Sequence, residues 1–218
     1  MATLLCIDTA TPVCSVAIAE EDIILCTREH ADYNSHAREL TILISACCEE
    51  AGLKLHAIAY IVVNIGPGSF TGLRIGVSAA KGLAYALGKP IMAVPSLLAI
   101  AYQAASVKPS DYYLSAIEAR HGKVFAAMYD RAFHEVSPPS LVTADEFVKL
   151  YKQQSSCTVC ANFTLEPSGA FAELTDKYVM IKSAATLLIK PALMLRERQQ
   201  FADLARFEPM YIQPFGKL

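Results

Sequence analysis

The chain has 218 residues, a formal net charge of −2, 54% hydrophobic residues and 18% charged residues. A chain of this length and apolar content can bury the core of one large domain or two small lobes, which excludes a disordered protein. Its near-neutral charge excludes the strongly basic character that usually accompanies autonomous nucleic-acid binding. The chain opens without a basic region followed by a long apolar core, and no apolar run reaches membrane-spanning length. The sequence therefore predicts a cytoplasmic protein that does not contact a membrane.

The first half of the chain alternates strand and helix patterns. Apolar residues at i, i+3, i+4 and i+7 predict the first helix, and Gly52 ends it as a C-cap. In chain order the predicted elements are strands Thr3–Asp8, Cys14–Ala19 and Ile23–Arg28, helix Ser35–Ala51, strand Ile58–Asn64, helix Thr71–Leu87, strand Ile91–Val94 and helix Leu97–Ala105.

Residues 107–111 are polar, and after them the pattern repeats in looser form. A capping box at Thr143–Glu146 opens a helix, and a last helical region from Ser183 is kinked or divided at Pro191. The predicted strands of this half are Tyr112–Glu118, Lys123–Asp130, Cys157–Ala161 and Tyr178–Ile181. Two lobes that each open with a hairpin match the ASKHA (actin-like) architecture, a duplicated α/β fold with a mixed sheet flanked by helices in each lobe. The predicted lobes are residues 1–105 and 106–218, with a tail that can return to the first lobe.

All seven cysteines are predicted to be free thiols. Their odd number and the lack of a framework spacing argue against disulfides. Cys157 and Cys160 form a Cys-x-x-Cys pair, but a zinc site needs two more ligands at a suitable spacing, and the chain has no second such pair. Alternate positions on a buried strand explain this pair better than metal or redox chemistry. The other five lie in apolar strand or helix patterns: Cys6, Cys14, Cys26, Cys47 and Cys48.

The stretch from Asn64 to Gly88 is the most informative part of the chain. Its turn, Gly66–Gly68, joins a buried strand to a helix. Backbone N–H groups at a helix start can cradle a phosphate, but a lone glycine pattern is a weak signal, and a plain turn explains it better. The helix carries only two charges, Arg74 and Lys81, and a helix that is apolar nearly all round is buried on more than one side.

Small residues form a line along one side of this helix, where they allow another helix to approach closely. Glycine in a helix interior costs about 0.5–1 kcal/mol relative to alanine, so Gly72 and Gly76 need a compensating contact. We expect this contact to come from the helices of a partner protein; the alternative is that the glycines face this chain's own sheet. The predicted partner interface comprises Leu40, Ile44, Gly72, Gly76, Ala79, Leu83 and Ala86.

Several motifs in the chain are long enough to be specific. The longest is Ile-Gly-Pro-Gly-Ser-Phe-Thr-Gly-Leu-Arg-Ile-Gly at residues 65–76, followed by Ala-Lys-Gly-Leu at residues 80–83. Together with further matches, these motifs resemble the TsaB (YeaZ) family over most of the chain. The further matches are Leu5–Thr11, Asn34–Leu40, Ile117–Arg120 and the Pro-x-Tyr ending at residues 209–211.

The chain departs from the TsaB pattern at two places. Glu118 stands where the family has Asp, and Ile212-Gln213 stands where it has Leu-Arg. These departures weaken any role assigned to Glu118 or Gln213, but they leave the resemblance intact.

The resemblance implies an ASKHA subunit of the bacterial machinery that makes N6-threonylcarbamoyladenosine, next to the anticodon of tRNAs that read codons beginning with A. In that system the paralogous subunit TsaD holds the metal and transfers the threonylcarbamoyl group. The resemblance therefore implies a non-catalytic subunit without a cofactor, which pairs with a TsaD-like paralogue, is joined by a TsaE-like ATPase and meets tRNA only through the complex. For the isolated chain, both a homodimer and a monomer agree with the sequence.

The residues agree with a subunit that is not the catalyst. TsaD-like proteins carry a His-x-x-x-His pair for a metal, whereas here His36 is followed at i+4 by Leu40. We therefore expect His36 to be a surface residue and the chain to hold no metal. A peptidase is the least supported alternative, because the His-Glu-x-x-His and Gly-x-Ser-x-Gly motifs are both absent.

One alternative enzyme stays open, a small-molecule kinase or nucleotide-binding protein of the ASKHA fold. Asp8 follows the first strand, where such a kinase places an acid near the phosphates, and Thr9 and Thr11 lie beside it. An Asx-type turn at Asp8 and Thr9 explains these residues about as well. A kinase of this fold is normally well over this length. The resemblance therefore favours a vestigial nucleotide contact at Asp8, Thr9 and Thr11.

Overall fold

Two units, each built on a five-stranded mixed sheet, make up this chain. The computed structural model describes residues 2–32, 35–165, 169–174 and 178–212. Within that range the first unit comprises residues 2–96 and 184–210, and the second comprises residues 97–183 with 211–212. Every helix among the described residues is too short or too polar to cross a membrane.

The described residues form ten strands and five α-helices, together with three short 3-10 helices. In chain order they are β1 (Thr3–Asp8), β2 (Cys14–Glu20), β3 (Ile23–His30), α1 (His36–Glu50), β4 (Tyr60–Gly66), α2 (Phe70–Leu87), β5 (Ile91–Pro95), α3 (Ser96–Val107), β6 (Tyr112–Glu118), β7 (Lys123–Asp130), β8 (Glu135–Thr143), α4 (Ala144–Lys152), β9 (Cys157–Ala161), β10 (Tyr178–Met180) and α5 (Ile189–Glu197). The 3-10 helices are Leu55–Ala57, Gly169–Leu174 and Ala185–Leu188.

The two sheets have the same strand order and the same strand directions. In the first unit the order is β3-β2-β1-β4-β5, with antiparallel pairs up to β1 and parallel pairs beyond it. In the second unit the order is β8-β7-β6-β9-β10, with antiparallel pairs up to β6 and parallel pairs beyond it. This repetition confirms the predicted fold class, an α/β protein with a duplicated ASKHA-type lobe.

The core of the first unit lies between one face of its sheet and the helices α1 and α2. Strand β1 is buried on both faces, which explains why it reads as a continuous apolar run instead of an alternating one. Each fully buried aliphatic side chain stabilises the fold by about 1.5–3 kcal/mol relative to exposure. The helices contribute Leu40, Leu43, Ile44, Cys47, Cys48, Val77, Ala80 and Ala84 to this core.

Strand β8 lies outside the elements predicted from the sequence. It contains Pro138 and Pro139, which lack the N–H group of a central strand. Because β8 pairs only with β7, at the edge of its sheet, the missing donors cost little there.

Residues 184–210 belong to the first unit although they follow the second along the chain. The backbone N–H of Ala185 donates to Ser15 Oγ at 3.0 Å, which ties this segment to β2. The contacts divide the chain at Ser96, whereas the predicted lobes are residues 1–105 and 106–218, and residues 184–210 join the first unit, as the sequence allowed for the tail. The bounds of this return cannot be predicted from the sequence, because the contacts join residues far apart in the chain.

Between α5 and Met210 the chain runs back along the first unit without regular structure. Ala202 N donates to Ile91 O at 2.9 Å, on the free side of the edge strand β5. Met210 N donates to Ile65 O at 2.7 Å. Lys81, on α2, donates to two backbone carbonyl groups of the same segment. The bond from Ala202 covers part of the β5 edge, whose backbone groups would otherwise be unpaired, and the other bonds fix the segment against β4 and α2.

Candidate functional site

A buried polar network lies where β1 and β4 end. Asp8 Oδ1 accepts hydrogen bonds from Ala10 N at 2.9 Å and from Asn64 Nδ2 at 3.0 Å. Asn64 Oδ1 in turn accepts from Gly66 N at 2.9 Å and from Ser96 Oγ at 2.6 Å. Buried polar groups cost free energy unless they are hydrogen-bonded, and the side chains of Asp8, Asn64 and Ser96 meet that condition through one another. The network therefore fixes the ends of β1, β4 and β5.

Burial raises the pKa of the Asp8 carboxyl above its ordinary value, while the hydrogen bonds from Ala10 and Asn64 lower it by less. The bond from Ala10 N back to Asp8 Oδ1 spans two residues, as in an Asx-type turn. Asp8 thus forms the hydrogen bond of the Asx-type turn that was considered from the sequence.

Thr9 holds the turn between β1 and β2 against the start of α2. It is only 1% exposed, and its Oγ1 donates to Gly72 O at 2.7 Å. A Cβ atom added to Gly72 would overlap the carbonyl oxygen of Thr9, and one added to Gly76 would overlap Thr9 Oγ1. Glycine is therefore required at both positions, because the turn approaches the helix backbone too closely for a side chain.

Two backbone N–H groups at the start of α2 donate to the protein's own oxygens. Ser69 N donates to Ala10 O at 2.7 Å, and Gly72 N donates to Ser69 Oγ at 3.2 Å. A Cβ atom added to Gly68 would overlap the same Ala10 oxygen. A phosphate cradle needs backbone N–H groups that face the ligand. The glycines here serve close packing instead, which favours the interpretation as a plain turn.

Four residues of the predicted partner interface are buried within the first unit, and their contact with a partner stays a prediction. Leu40 and Ile44 are 1% and 5% exposed and belong to the core between the helices and the sheet. Gly72 and Gly76 are buried against the turn after β1. Their burial favours a role in the chain's own packing. For the two glycines the neighbour is the turn after β1, not the sheet that the sequence offered as the alternative.

The other predicted interface residues lie at or near the surface, and their contact with a partner stays a prediction. Ala79 and Leu83 are half-buried and Ala86 is exposed. Two large side chains accompany them: Ile42 is 54% exposed and Tyr85 is 81% exposed. The position of Ile42 off the apolar side of α1 was a visible signal, whereas Tyr85 reads as part of a polar stripe.

We define the α1–α2 face by its outward residues Thr41, Ile42, Ser45, Ser78, Ala79, Gly82, Leu83, Tyr85 and Ala86.

The prediction of a surface position for His36 is wrong, because this residue is only 2% exposed. Its Nε2 lies 2.9 Å from Thr11 O, and its Nδ1 lies 3.3 Å from Asp32 O. The imidazole therefore ties the turn after β1 to the start of α1. Thr11 Oγ1 also accepts a hydrogen bond locally, from Val13 N at 3.2 Å. Among the described residues, no group of three or more His, Cys, Asp or Glu side chains can hold a metal ion.

The departures from the TsaB pattern give little further information. Glu118 is exposed at the end of β6, opposite Val124 of β7. Gln213 and Asn34 lie outside the described residues.

Comparisons with known proteins identify the family. Residues 29–155 match a family model described as "TsaD: tRNA N6-adenosine threonylcarbamoyltransferase". The tRNA threonylcarbamoyladenosine biosynthesis protein TsaB of Escherichia coli K12 is 35% identical over 96% of this chain and 94% of its own length. This chain belongs to the TsaB family. The protein of the same name from Bacillus subtilis is 31% identical to it over 70% of this chain and 67% of its own length.

Two solved structures from Pseudomonas aeruginosa share the fold of this TsaB-family chain. One is described as an uncharacterized protein with similarity to peptidase YeaZ, with a TM-score of 0.83 over 98% of this chain and 100% of its own. The other is described as YeaZ, with a TM-score of 0.76 over 97% of this chain and 100% of its own. Both are 24% identical to this chain, and they show a shared fold.

Asp8 offers a direct test of the buried network. Asp8→Ala leaves the donors Ala10 N and Asn64 Nδ2 without their acceptor, so we expect the free energy of unfolding to fall by about 2–4 kcal/mol. Asp8→Asn keeps an acceptor oxygen and removes the charge, so we expect little loss at neutral pH. Urea unfolding of the two variants and the natural chain measures both effects, and equal losses for both would contradict the assigned role.

The pH dependence of stability should also differ between the natural chain and Asp8→Asn. Because burial raises the folded pKa of Asp8, the folded chain holds this proton more tightly than the unfolded chain. The stability from this carboxyl is fully present below its unfolded pKa of about 3.9 and is lost as pH rises through the folded pKa. The unfolding free energy of the natural chain minus that of Asp8→Asn should therefore decrease with rising pH. An increase would show that the folded chain favours the carboxylate.

Proposed function

We propose that this TsaB-family chain is a non-catalytic subunit that pairs with a TsaD-like paralogue and activates it in forming N6-threonylcarbamoyladenosine on tRNAs that read ANN codons. The observation that carries the proposal is the exposed α1–α2 face, with Ile42 and Tyr85 directed outward. The pathway is supported by the names of the relatives from Escherichia coli and Bacillus subtilis.

The α1–α2 face has the properties of a helix-docking surface. Large apolar or aromatic side chains exposed together on a folded protein often mark contacts with another protein, and tyrosine is common among the residues that dominate such contacts. Gly82 and Ala86 are exposed and small, so partner helices can approach α2 closely. Because α1 and α2 pack on the same core, two helices of a partner can lie across them in a four-helix arrangement.

The burial and hydrogen bonding of the polar residues at the end of β1 support a subunit that does not itself catalyse a reaction. Asp8 and Thr9 are buried, and Asp8 Oδ1 and Thr9 Oγ1 form hydrogen bonds within the unit. A kinase or nucleotide-binding protein of this fold would need such groups to face phosphate. Because these oxygens already form hydrogen bonds within the unit, the kinase alternative is disfavoured and a vestigial nucleotide site is supported.

We infer further that the TsaE-like ATPase and tRNA join the paired subunits in the cytoplasm, and that this chain alone holds neither metal nor cofactor. A net charge of −2 gives the chain no excess of positive charge for binding RNA by itself. The names of the TsaB relatives support action on tRNA within a pathway.

Co-expression with the TsaD-like paralogue of the same genome tests the proposal. We expect a stable one-to-one complex in size-exclusion chromatography with light scattering. With the TsaE-like ATPase and the threonylcarbamoyl donor present, N6-threonylcarbamoyladenosine should form on tRNA only when both paralogues are present. Each paralogue assayed alone is the matched control. Absence of a complex, together with ATP hydrolysis that depends on a small substrate, would favour the kinase alternative.

A further inference from the structure

Two cysteines from different elements face each other in the core of the first unit. Cys26 lies on the edge strand β3 and Cys47 on α1, and their sulfur atoms are 3.1 Å apart. The same two elements are also joined at the surface by the ion pair of Arg28 and Glu50. The ion pair thus holds β3 and α1 together even without the contact of Cys26 and Cys47.

This pair differs from the Cys-x-x-Cys pair that the sequence draws attention to. The Cys160 thiol contacts Ser115 Oγ at 3.3 Å, and the Cys157 thiol is directed at Thr158 O at 3.9 Å. Residues three apart on a strand point to opposite faces of the sheet, so these two thiols cannot meet. Cys26 and Cys47 are 21 positions apart, and only the packing of α1 on β3 brings them together.

We propose that Cys26 and Cys47 form a dithiol site that peroxide converts to a disulfide linking β3 to α1. The sulfur atoms need to approach by only about 1 Å to reach the length of a disulfide bond. Cys26 is the entry point, because it is 4% exposed on an edge strand with exposed neighbours, whereas Cys47 has no exposed surface. Edge elements of this kind also open locally at low cost in free energy.

The chemistry balances with hydrogen peroxide as the oxidant. Peroxide transfers one oxygen atom to the Cys26 sulfur, which is oxidised to a sulfenic acid while the rest of the peroxide leaves as water. The Cys47 sulfur then attacks the Cys26 sulfur. The S–O bond breaks as the S–S bond forms, and hydroxide leaves with the Cys47 proton as a second water.

The surroundings of the pair keep it reduced until oxidant arrives. Both residues are free thiols in the structure. Burial raises the pKa of the Cys47 thiol, so Cys47 stays protonated at neutral pH and attacks only after Cys26 has been oxidised. Once formed, the cross-link restricts the unfolded chain and should raise the melting temperature by roughly 5 °C or more.

Peroxide treatment of the intact chain, followed by mass spectrometry, tests this site. After trypsin, the peptides spanning residues 1–28 and 39–54 should be joined by a bond that dithiothreitol breaks, and fragmentation should place it between Cys26 and Cys47. The melting temperature should rise with the cross-link and return on reduction. Cys26→Ala and Cys47→Ala should each abolish both effects.

Cys48→Ala is the matched control, because Cys48 is the neighbouring buried thiol on the same helix. This variant should keep the cross-link and the rise in melting temperature. The proposal would be overturned by a cross-link that uses Cys48, by oxidation that stops at sulfinic acid, or by thiols that survive peroxide levels that fully oxidise free glutathione. None of these outcomes depends on a TsaD-like partner, so this test and that of the proposed function fail separately.

Discussion

Replacing Gly72 or Gly76 by alanine should strongly destabilise the first unit, whereas the same change at Gly82 should stabilise it. All three glycines lie on α2, where helix propensity alone favours alanine by about 0.5–1 kcal/mol. The added Cβ atom would overlap a Thr9 atom at Gly72 and at Gly76, but it would meet nothing within 4 Å at Gly82. We expect losses of about 3 kcal/mol or more at Gly72 and about 2–3 kcal/mol at Gly76, and a gain of about 0.5–1 kcal/mol at Gly82. Urea unfolding followed by circular dichroism measures all three.

A double-mutant cycle shows whether Thr9 is the cause. The atom in the way at Gly76 is the Thr9 hydroxyl oxygen, so Thr9→Ala should recover much of the loss caused by Gly76→Ala. The atom in the way at Gly72 is a backbone oxygen, so Thr9→Ala should not recover Gly72→Ala. A Gly76→Ala variant with normal stability but no binding to a partner would restore the interface interpretation of this glycine.

Most of the fold follows from local signals in the sequence. The hairpin strands, the capping box at Thr143 and the glycine turn before α2 are each encoded within a few residues, and the structure places all of them as predicted. Two features depend on distant contacts: one strand is missing from the predicted elements, and the return of the tail is predicted without its bounds. Strand β8 looks like a turn because of its prolines, and residues 184–210 return to a unit whose other elements end about ninety positions earlier.

Only part of the candidate site can be predicted from the sequence. A line of small residues indicates that something approaches a helix closely, but not what approaches. In α2 the group that approaches Gly72 and Gly76 is Thr9, in the turn after β1, which the sequence does not indicate. The burial of His36 cannot be predicted from the sequence, because its partners are backbone carbonyls, which leave no pattern in the sequence.

Introducing a negative charge at Ile42 or Tyr85 should greatly weaken binding to a TsaD-like partner while leaving the chain folded. Both side chains are largely exposed, so Ile42→Asp and Tyr85→Asp remove few contacts within the chain, and stability should change by about 0.5 kcal/mol or less. In a docked interface each aspartate would be desolvated against apolar surface, which should weaken binding about 100-fold or more. Titration calorimetry with the TsaD-like paralogue measures the affinity, and thermal unfolding measures the stability.

Val107→Asp is the matched control for this pair of variants. Val107 is 60% exposed at the end of α3, in the second unit, so it tests the same kind of change at another exposed apolar position. Its affinity for the partner should stay within about twofold of the natural chain, because a scattered surface apolar residue carries no special contact. If all three variants bind equally well, the α1–α2 face is not the docking surface. If Val107→Asp alone weakens binding, the partner docks on the second unit instead, and the exposure of Ile42 and Tyr85 needs another explanation.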